Sequence, residues 1–238
     1  MRGPYGFELN ESCQTCKQRA DGFFCQLSQT ATDDFNTVRS QATYPAGAIL
    51  FLENQDPRGV FVLCGGEVKL SISSSGGKTL ILRIAKPGEI LGLMATMSGN
   101  PYEVTAETLH PCQVSFVRRG DFLRFVNKHP EAYQGVVRQL SSNYSGTCKQ
   151  LRTVGLSTSA PEKLARLLLD WSADAKDSKP DSQIKMPLTH EEIAEFIGTT
   201  RETVTRTLSE FKGRRLVSLQ GSTLMICNRP ALETIGGA

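Results

Sequence analysis

The sequence lacks the features that would place it in a membrane or outside the cell. No apolar run approaches the ~18 residues that a membrane-spanning helix needs. Residues 1–10 contain one arginine and no apolar core of a secretory signal. Cysteines number seven, an odd count that does not suit a framework of disulfides. We therefore expect a cytoplasmic protein, in which a CxxC pair binds metal or does redox chemistry.

The sequence also lacks a large net charge and recognisable catalytic motifs. The 27 Lys and Arg residues stand against 24 Asp and Glu, and a net charge of +3 does not by itself indicate nucleic-acid binding. The sequence has no phosphate-binding loop, no nucleophile with a paired base and no carboxylate constellation, so we predict that the chain is not an enzyme. Histidine occurs three times, as His110, His129 and His190. This argues against a histidine-based metal site, and we expect each to be solvated.

Short apolar runs separated by glycine turns fill the first half of the chain. Between the glycine pairs at 65–66 and 76–77, Val68, Leu70 and Ile72 alternate with polar residues. A second run alternates Leu80, Leu82 and Ile84 with Ile81, Arg83 and Ala85. Period-two patterning of this kind is typical of β-strands. We predict a compact antiparallel β-roll or barrel.

The hydrophobic period then changes to that of a helix, running from about Pro130 to Val154. Apolar residues recur at alternating spacings of three and four, which is a heptad stripe. The stripe consists of Val137, Leu140, Tyr144, Thr147, Leu151 and Val154. It covers two and a half heptads, and we predict a dimer seam. The alternative is a helix packed on its own barrel.

The strongest local pattern lies in residues 188–226. Thr189 followed by Glu192, and Thr199 followed by Glu202, are two capping boxes that mark helix starts ten residues apart. Gly198 lies between them and ends the first helix. Two short helices joined by a tight glycine turn make a helix-turn-helix, whose second helix enters the major groove of DNA.

On the second helix, Val204, Leu208 and Phe211 recur at core spacing. The predicted DNA-facing residues are Arg201, Glu202, Thr205, Arg206 and Ser209. Residues 200–229 carry six Lys or Arg against two Asp or Glu, a basic patch able to contact phosphates. A hairpin turning at residues 221–222 would form a wing. We predict binding to double-stranded DNA, and the alternative is a polar face that is merely solvated.

With these motifs in place, nearly the whole chain resembles the CRP/FNR superfamily of bacterial transcription regulators. The resemblance rests on the glycine-punctuated β-roll, the long helix and "TRETVTRTL" in the winged helix. It implies an α+β fold, a homodimer on palindromic DNA, and RNA polymerase as a partner. We expect a cysteine-rich arm at 1–32, a β-roll sensor domain at 33–127, a dimerisation helix at 128–155 and a winged helix-turn-helix domain at 156–238.

The recognition helix is similar to the CRP type more than to the FNR type. By resemblance, Arg201, Glu202 and Arg206 contact bases. Arginine pairs with guanine O6 and N7, and glutamate accepts from cytosine N4. The arginine at the first of these positions stands where the FNR type carries valine. The resemblance therefore implies a half-site closer to TGTGA than to TTGAT.

The β-roll departs from the cyclic-AMP-binding members of the superfamily. Leu93 stands where a ribose-binding glutamate belongs, and Tyr102 and Glu103 stand where an arginine-serine pair holds the cyclic phosphate. Without that arginine a phosphate has no charge partner, and Glu103 repels it. We do not expect cyclic AMP to be the signal.

The stretch "ESCQTCKQRADGFFCQLS" puts Cys13, Cys16 and Cys25 near the start of the chain. FNR-type regulators carry such a cluster, and a fourth cysteine in a stretch similar to "ETLHPCQVSF", where Cys112 lies. The resemblance implies a [4Fe-4S] cluster on these four thiolates that controls dimerisation and DNA binding in response to oxygen, nitric oxide or redox state. The eight residues between Cys16 and Cys25 exceed the family's usual spacing.

Other interpretations of the cysteines stay open. Four thiolates suit a tetrahedral zinc equally well. Further alternatives for the three cysteines of the arm are thiol-redox chemistry and three free cysteines that bind no metal. Cys112 by itself is also typical of a small core residue. A haem with His110 as ligand, or another small-molecule effector in the β-roll, is a further alternative. Cys64, Cys148 and Cys227 lie in apolar contexts, and we expect them to be structural.

Overall fold

The described part of the chain divides into two units. The first contains the described residues within Met1–Gly77 and Leu82–Thr147, and the second those within Lys78–Ile81 and Cys148–Ala238. The structure is a computed structural model. It describes residues 4–6, 27–174, 183–185, 188–221 and 223–237.

The period-two segments between residues 39 and 118 form strands, as predicted. The described residues of this range contain two four-stranded sheets, with strand orders β1-β8-β3-β6 and β2-β7-β4-β5. The strands are β1 (Arg39–Tyr44), β2 (Ile49–Phe51), β3 (Gly59–Gly65), β4 (Val68–Ser73), β5 (Thr79–Ala85), β6 (Ile90–Leu91), β7 (Thr105–Thr108) and β8 (Cys112–Arg118). The central β3 pairs antiparallel with β8, which places Phe61 opposite Phe116. The predicted β-roll is confirmed.

The inner faces of the two sheets supply one hydrophobic core. In β4, Val68 and Leu70 are buried as the alternation predicts, but Ile72 is only half-buried and Ser71, expected to face outward, is buried. In β5 the fully buried residues are instead Ile81 and Ala85, and Leu80, Leu82 and Ile84 are half-buried. The sequence pattern cannot assign the inner face of β5, because apolar residues occur on both faces.

Among the described residues three helices accompany the roll, and none of them was predicted from the sequence. They are α1 (Gln29–Val38), α2 (Leu93–Ser98) and α3 (Arg119–Lys128). Helix α1 lies where the expected β-roll domain begins at residue 33. Ser28 caps it by accepting from the Ala31 amide, and Phe35 packs on Phe125 with ring centroids 5.5 Å apart. Its apolar stripe is one turn and a half long, too short to show a helical period clearly.

Helix α4 spans Pro130–Leu156, which is 27 residues. The helix begins at the predicted Pro130 and ends two residues beyond the predicted Val154. Gly155 and Leu156 are both still helical. A sequence pattern determines helix ends only to within one or two residues. Ala132 and Val136 face the core that α1 and α3 share, which anchors the first turns of α4.

The second unit is mainly helical. It contains α5 (Ala160–Asp174), α6 (His190–Ile197), α7 (Arg201–Gly213) and α8 (Arg229–Gly236), and strands β9 (Gln183–Lys185), β10 (Val217–Gln220) and β11 (Thr223–Ile226). The strand order β10-β11-β9 forms a small sheet. The core includes Leu164, Leu168, Ile193, Leu208 and Phe211, each at most 1% exposed. This burial follows the helical spacing of the apolar residues.

Candidate nucleic-acid interface

Helix α6 begins and ends as its sequence predicts. Thr189 and Glu192 form a complete capping box, in which the threonine side chain accepts from the Glu192 amide and the carboxylate accepts from the Thr189 amide at 2.9 Å. Gly198 ends the helix in the left-handed conformation with φ of 66°, which favours glycine. The turn between the two helices is therefore short and well defined.

The cap of α7 differs from the prediction. Thr200, not Thr199, is the N-cap, and its side chain accepts from the Thr203 amide. The Thr199 amide donates to the Ala194 carbonyl at 2.9 Å, so this residue completes the end of α6. Adjacent threonines satisfy the same sequence pattern, and only the hydrogen bond across the turn distinguishes them.

Helix α7 separates apolar and polar residues as the helical period requires. Val204, Leu208 and Phe211 are at most 1% exposed. The five predicted DNA-facing residues, Arg201, Glu202, Thr205, Arg206 and Ser209, are all exposed. The structure thus brings these five onto one solvent-facing surface, here called the α7 face.

Two arginines on the α7 face are available to a ligand. Among the described residues, neither Arg201 nor Arg206 forms a salt bridge, whereas Arg214 pairs with Glu210 at 3.2 Å at the other end of the helix. The pKa of Glu202 is lowered, first by the hydrogen bond from its own backbone amide and then by that from Thr200. The α7 face therefore presents two free cations beside one ionised carboxylate.

His190 is a member of this surface that sequence reasoning missed. Its Nδ1 lies 3.0 Å from the Thr205 hydroxyl, so the first residue of α6 contacts the middle of the α7 face. The Thr205 hydroxyl also lies 3.0 Å from the Arg201 carbonyl, and the Ser209 hydroxyl lies 2.9 Å from the Thr205 carbonyl. Fifteen residues separate His190 from Thr205, and no periodicity relates them.

The predicted wing is present as a hairpin. Strands β10 and β11 pair antiparallel, with Gln220 opposite Thr223, which leaves a two-residue connection at positions 221 and 222. Gly221 has φ of 59°, as tight hairpin turns require. Thr223 also pairs with Lys185 of β9, so the hairpin belongs to a three-stranded sheet.

The predicted seam on α4 is only partly exposed. Val137, Tyr144 and Leu151, seven residues apart, are 53%, 72% and 63% exposed. Leu140, Thr147 and Val154 are half-buried, and Leu140 packs against the core of the first unit. Tyr133, 49% exposed, extends the stripe by one turn towards the N-terminus. An exposed apolar stripe of this size is typical of an interaction surface.

Three of the four predicted cluster ligands, Cys13, Cys16 and Cys25, lie outside the described residues. Cys112 is 1% exposed and packs in the core of the roll. Its thiol donates to the Glu67 carbonyl at 3.3 Å and to the His110 carbonyl at 3.1 Å.

The surroundings of Cys112 favour a neutral thiol. Burial raises its pKa to about 11, although the two carbonyl contacts act in the opposite direction. A metal ligand has to be a thiolate, so ligation of a cluster by Cys112 would require this thiol to lose its proton and its two carbonyl contacts. Within the described ranges, no three His, Cys, Asp or Glu side chains are grouped to hold a metal ion. Cys64 and Cys148 are half-buried as expected of structural residues, but Cys227 is exposed.

The expectation that all three histidines are solvated is wrong for His129. This side chain is 8% exposed, its Nε2 lies 2.7 Å from Asp34 of α1, and its ring packs on Phe125. Lys128 pairs with the same carboxylate at 2.6 Å. Hydrogen bonds from Lys128 and His129 lower the pKa of Asp34. His110 is 55% exposed and lies 3.7 Å from Glu67.

The residues that replace the phosphate-binding pair take different positions. Tyr102 is 2% exposed, stacks on Phe51 with centroids 4.1 Å apart, and donates its hydroxyl to the Gly59 carbonyl at 2.8 Å. A Cβ at Gly92 would lie 2.6 Å from the Tyr102 ring, so the ring closely covers this backbone. Leu93 is 2% exposed and belongs to the core, and Glu103 is exposed.

None of the helices in the described ranges is both long and apolar enough to cross a membrane.

Comparison with known proteins agrees with this architecture. Residues 162–235 match the Crp-like helix-turn-helix domain family, and residues 41–129 match the cyclic nucleotide-binding domain family. The transcriptional activatory protein AadR of Rhodopseudomonas palustris is 25% identical over 228 residues, 95% of this chain and 94% of that protein. A CRP-like cAMP-activated global transcriptional regulator of Mycobacterium tuberculosis is 24% identical over 212 residues, 89% of this chain and 94% of that protein.

The fold is similar to that of a CooA variant from Carboxydothermus hydrogenoformans. The TM-score is 0.75 at 19% identity, and the match covers 96% of this chain and 98% of that one. Both domain families, in the order β-roll then helix-turn-helix, occur in this chain together with the long helix between them. The chain therefore belongs to the CRP/FNR superfamily of DNA-binding transcription regulators.

Proposed function

We propose that the protein is a homodimeric regulator that recognises a palindromic DNA sequence with the α7 face. The observation that carries this proposal is the pair of exposed arginines, Arg201 and Arg206, that form no salt bridge among the described residues. A guanidinium free of protein partners can donate two hydrogen bonds to guanine. Binding of the purified chain to a selected DNA site, measured by fluorescence anisotropy, tests it.

A dimer explains the apolar stripe on α4. Burying Val137, Tyr144 and Leu151 against a second copy would remove apolar surface that the described residues leave exposed. Two copies related by a two-fold axis present two α7 helices to half-sites one DNA turn apart. The TGTGA-like half-site and the partnership with RNA polymerase rest on the resemblance of the recognition helix alone.

We propose that the cysteine-rich arm supplies the signal. Two residues separate Cys13 from Cys16, a spacing at which both thiolates ligate one metal centre, and Cys25 adds a third soft ligand. An iron-sulfur cluster would respond to oxygen, nitric oxide or redox state. Zinc or a dithiol is the alternative, since the same ligands suit it.

Metal analysis of protein purified without oxygen tests the arm. We expect iron and sulfide in equal amounts, and we expect Cys13→Ser to lose most of both. If the arm is coupled to DNA binding, the same change weakens binding to the preferred site by about 5- to 150-fold, the usual range of coupling energies. Iron and sulfide assays and anaerobic anisotropy measure these effects.

Cys227→Ser is the matched control, because Cys227 is exposed and lies in the second unit. It should change neither metal content nor affinity. If the analysis finds one zinc per chain and no iron, the iron-sulfur cluster is refuted and the zinc or dithiol alternative replaces it. If the Cys112→Ala variant loses its iron but keeps its thermal stability, Cys112 is a ligand of the cluster despite its burial.

We also propose that cyclic AMP is not the effector. The support is Tyr102, whose buried ring stacks on Phe51 and whose hydroxyl is bonded to Gly59, beside the exposed carboxylate of Glu103. We expect no rise in the melting temperature at millimolar cyclic AMP. A ligand at ~100 times its Kd stabilises the native state by about 2.7 kcal/mol. The cAMP-activated regulator of Mycobacterium tuberculosis is the positive control, and a comparable rise in this protein would refute the proposal.

A further inference from the structure

The hydroxyl of Thr205 has two hydrogen-bond partners within the protein. It has one hydrogen, and the Arg201 carbonyl, which can only accept, lies 3.0 Å away. His190 Nδ1 lies 3.0 Å from the same hydroxyl oxygen. Because the hydroxyl hydrogen is directed to the carbonyl, the histidine must be the donor in the second contact. The Thr205 hydroxyl therefore both donates and accepts without any DNA.

This arrangement determines what the α7 face offers at its middle. Thr205 is exposed, but α7 itself takes the hydrogen of its hydroxyl and the first residue of α6 takes one of its two lone pairs, so its methyl group is the part of the side chain without a partner. The hydrogen of the Ser209 hydroxyl is likewise directed at the Thr205 carbonyl, at 2.9 Å. The α7 face also carries the charged side chains Arg201, Glu202 and Arg206, so the Thr205 methyl group is an apolar group on a charged surface.

We propose that Thr205 recognises thymine through the C5-methyl group, and that His190 is the positioning residue that keeps the Thr205 hydroxyl from acting as a base contact. In the major groove, thymine is the base that presents a methyl group, and apolar side-chain contact with it is a recognised means of discrimination. This inference rests on the proposed function, in which the α7 face lies in the major groove.

The experiment begins with selection of the preferred site from random DNA by the full chain. Each thymine of the selected half-site is then replaced by deoxyuracil, which removes the methyl group and keeps the base pair. We expect one thymine per half-site at which this replacement weakens binding roughly 4-fold, or about 15-fold when both half-sites are changed, since that is the effect of one buried methyl group.

Two substitutions separate the methyl group from the hydroxyl. Thr205→Val keeps a methyl group and removes the hydroxyl, so it should still discriminate thymine from deoxyuracil. Thr205→Ser keeps the hydroxyl and removes the methyl group, so it should bind both DNAs equally. Thr234 of α8 provides the matched control, because it is also exposed and its hydroxyl also lies 3.0 Å from the carbonyl four residues earlier. Its Val and Ser variants should behave like the wild type.

His190→Ala tests the positioning role. The measured quantity is the base preference at each position of the half-site, which general destabilisation of the protein would not change at a single position. Without the histidine donor, the second lone pair of the Thr205 oxygen is also free, and the unrestrained hydroxyl can accept from adenine N6 or cytosine N4. We expect the base preference to relax at that one position, in a repeated selection, and to stay unchanged elsewhere in the half-site.

The opposite pattern would overturn the inference. If Thr205→Ser still discriminates thymine from deoxyuracil, a group other than the Thr205 methyl recognises the thymine methyl. If no thymine responds to the replacement, the methyl group is not recognised. Both of these results leave the proposed function intact, because a site has been selected and bound. A wild-type chain that enriches no sequence at all would instead refute the proposed function together with this inference.

Discussion

Replacing Arg206 with alanine is expected to weaken binding to the preferred palindrome by roughly 30-fold or more, because one arginine-guanine pair contributes about 1 to 3 kcal/mol and a dimer has two of them. Arg206 is exposed and forms no salt bridge among the described residues, so its removal leaves no protein partner unpaired. Binding to random-sequence DNA should change only a few-fold, since phosphate contacts dominate it. Competition anisotropy at fixed salt measures both affinities.

Arg214→Ala is the control for Arg206→Ala. It removes the same charge from the same domain, but Arg214 follows the end of α7 and pairs with Glu210. We expect similar small losses for specific and random DNA. If the two variants lose specificity to the same extent, the effect is electrostatic and Arg206 does not contact a base.

The second large effect is expected from Leu151→Glu on α4. Leu151 is 63% exposed, so the change should leave the protomer folded. In a dimer, it would remove about 1.5 to 3 kcal/mol of apolar burial from each copy and bring two carboxylates together. We expect the dimer dissociation constant to rise at least ~100-fold, with a parallel loss of palindrome binding. Sedimentation equilibrium and circular dichroism measure assembly and folding.

Ser145→Glu adds the same charge to an exposed position of α4 that lies one residue beyond Tyr144 and outside the stripe. It should dimerise like the wild type. A Leu151→Glu variant that also remains dimeric would show that this stripe is not the dimer interface. A variant that loses its helical signal would show that Leu151 supports the protomer instead.

Several parts of the fold follow directly from local patterns. The alternation that places Val68 and Leu70 inward and the helical spacing of Val204, Leu208 and Phe211 predict the burial of these residues, because a strand and a helix each expose a fixed periodic face. The capping box at Thr189 is formed as predicted, since its hydrogen bonds join residues three apart. Such features need no information from distant segments.

Predictions failed where two local solutions were equally good or where distant segments meet. Thr199 and Thr200 both satisfy a cap pattern, and the hydrogen bond to Ala194 decides between them. In β5 both faces are apolar, so the alternation alone does not decide that Ile81 and Ala85 are the buried residues. His129 was expected in solvent, but Asp34, 95 residues away, forms its hydrogen bond.

The sequence by itself determined the order of β-roll, long helix and winged helix, and the five residues of the α7 face, because each depends on periodicity within one element. Only the tertiary structure decided that Cys112 is a buried thiol bonded to two carbonyls and that His190 engages Thr205. Burial and hydrogen bonding join groups that are distant in sequence. They therefore set which side-chain atoms remain available for chemistry or recognition, even where the residue types are plain from the sequence.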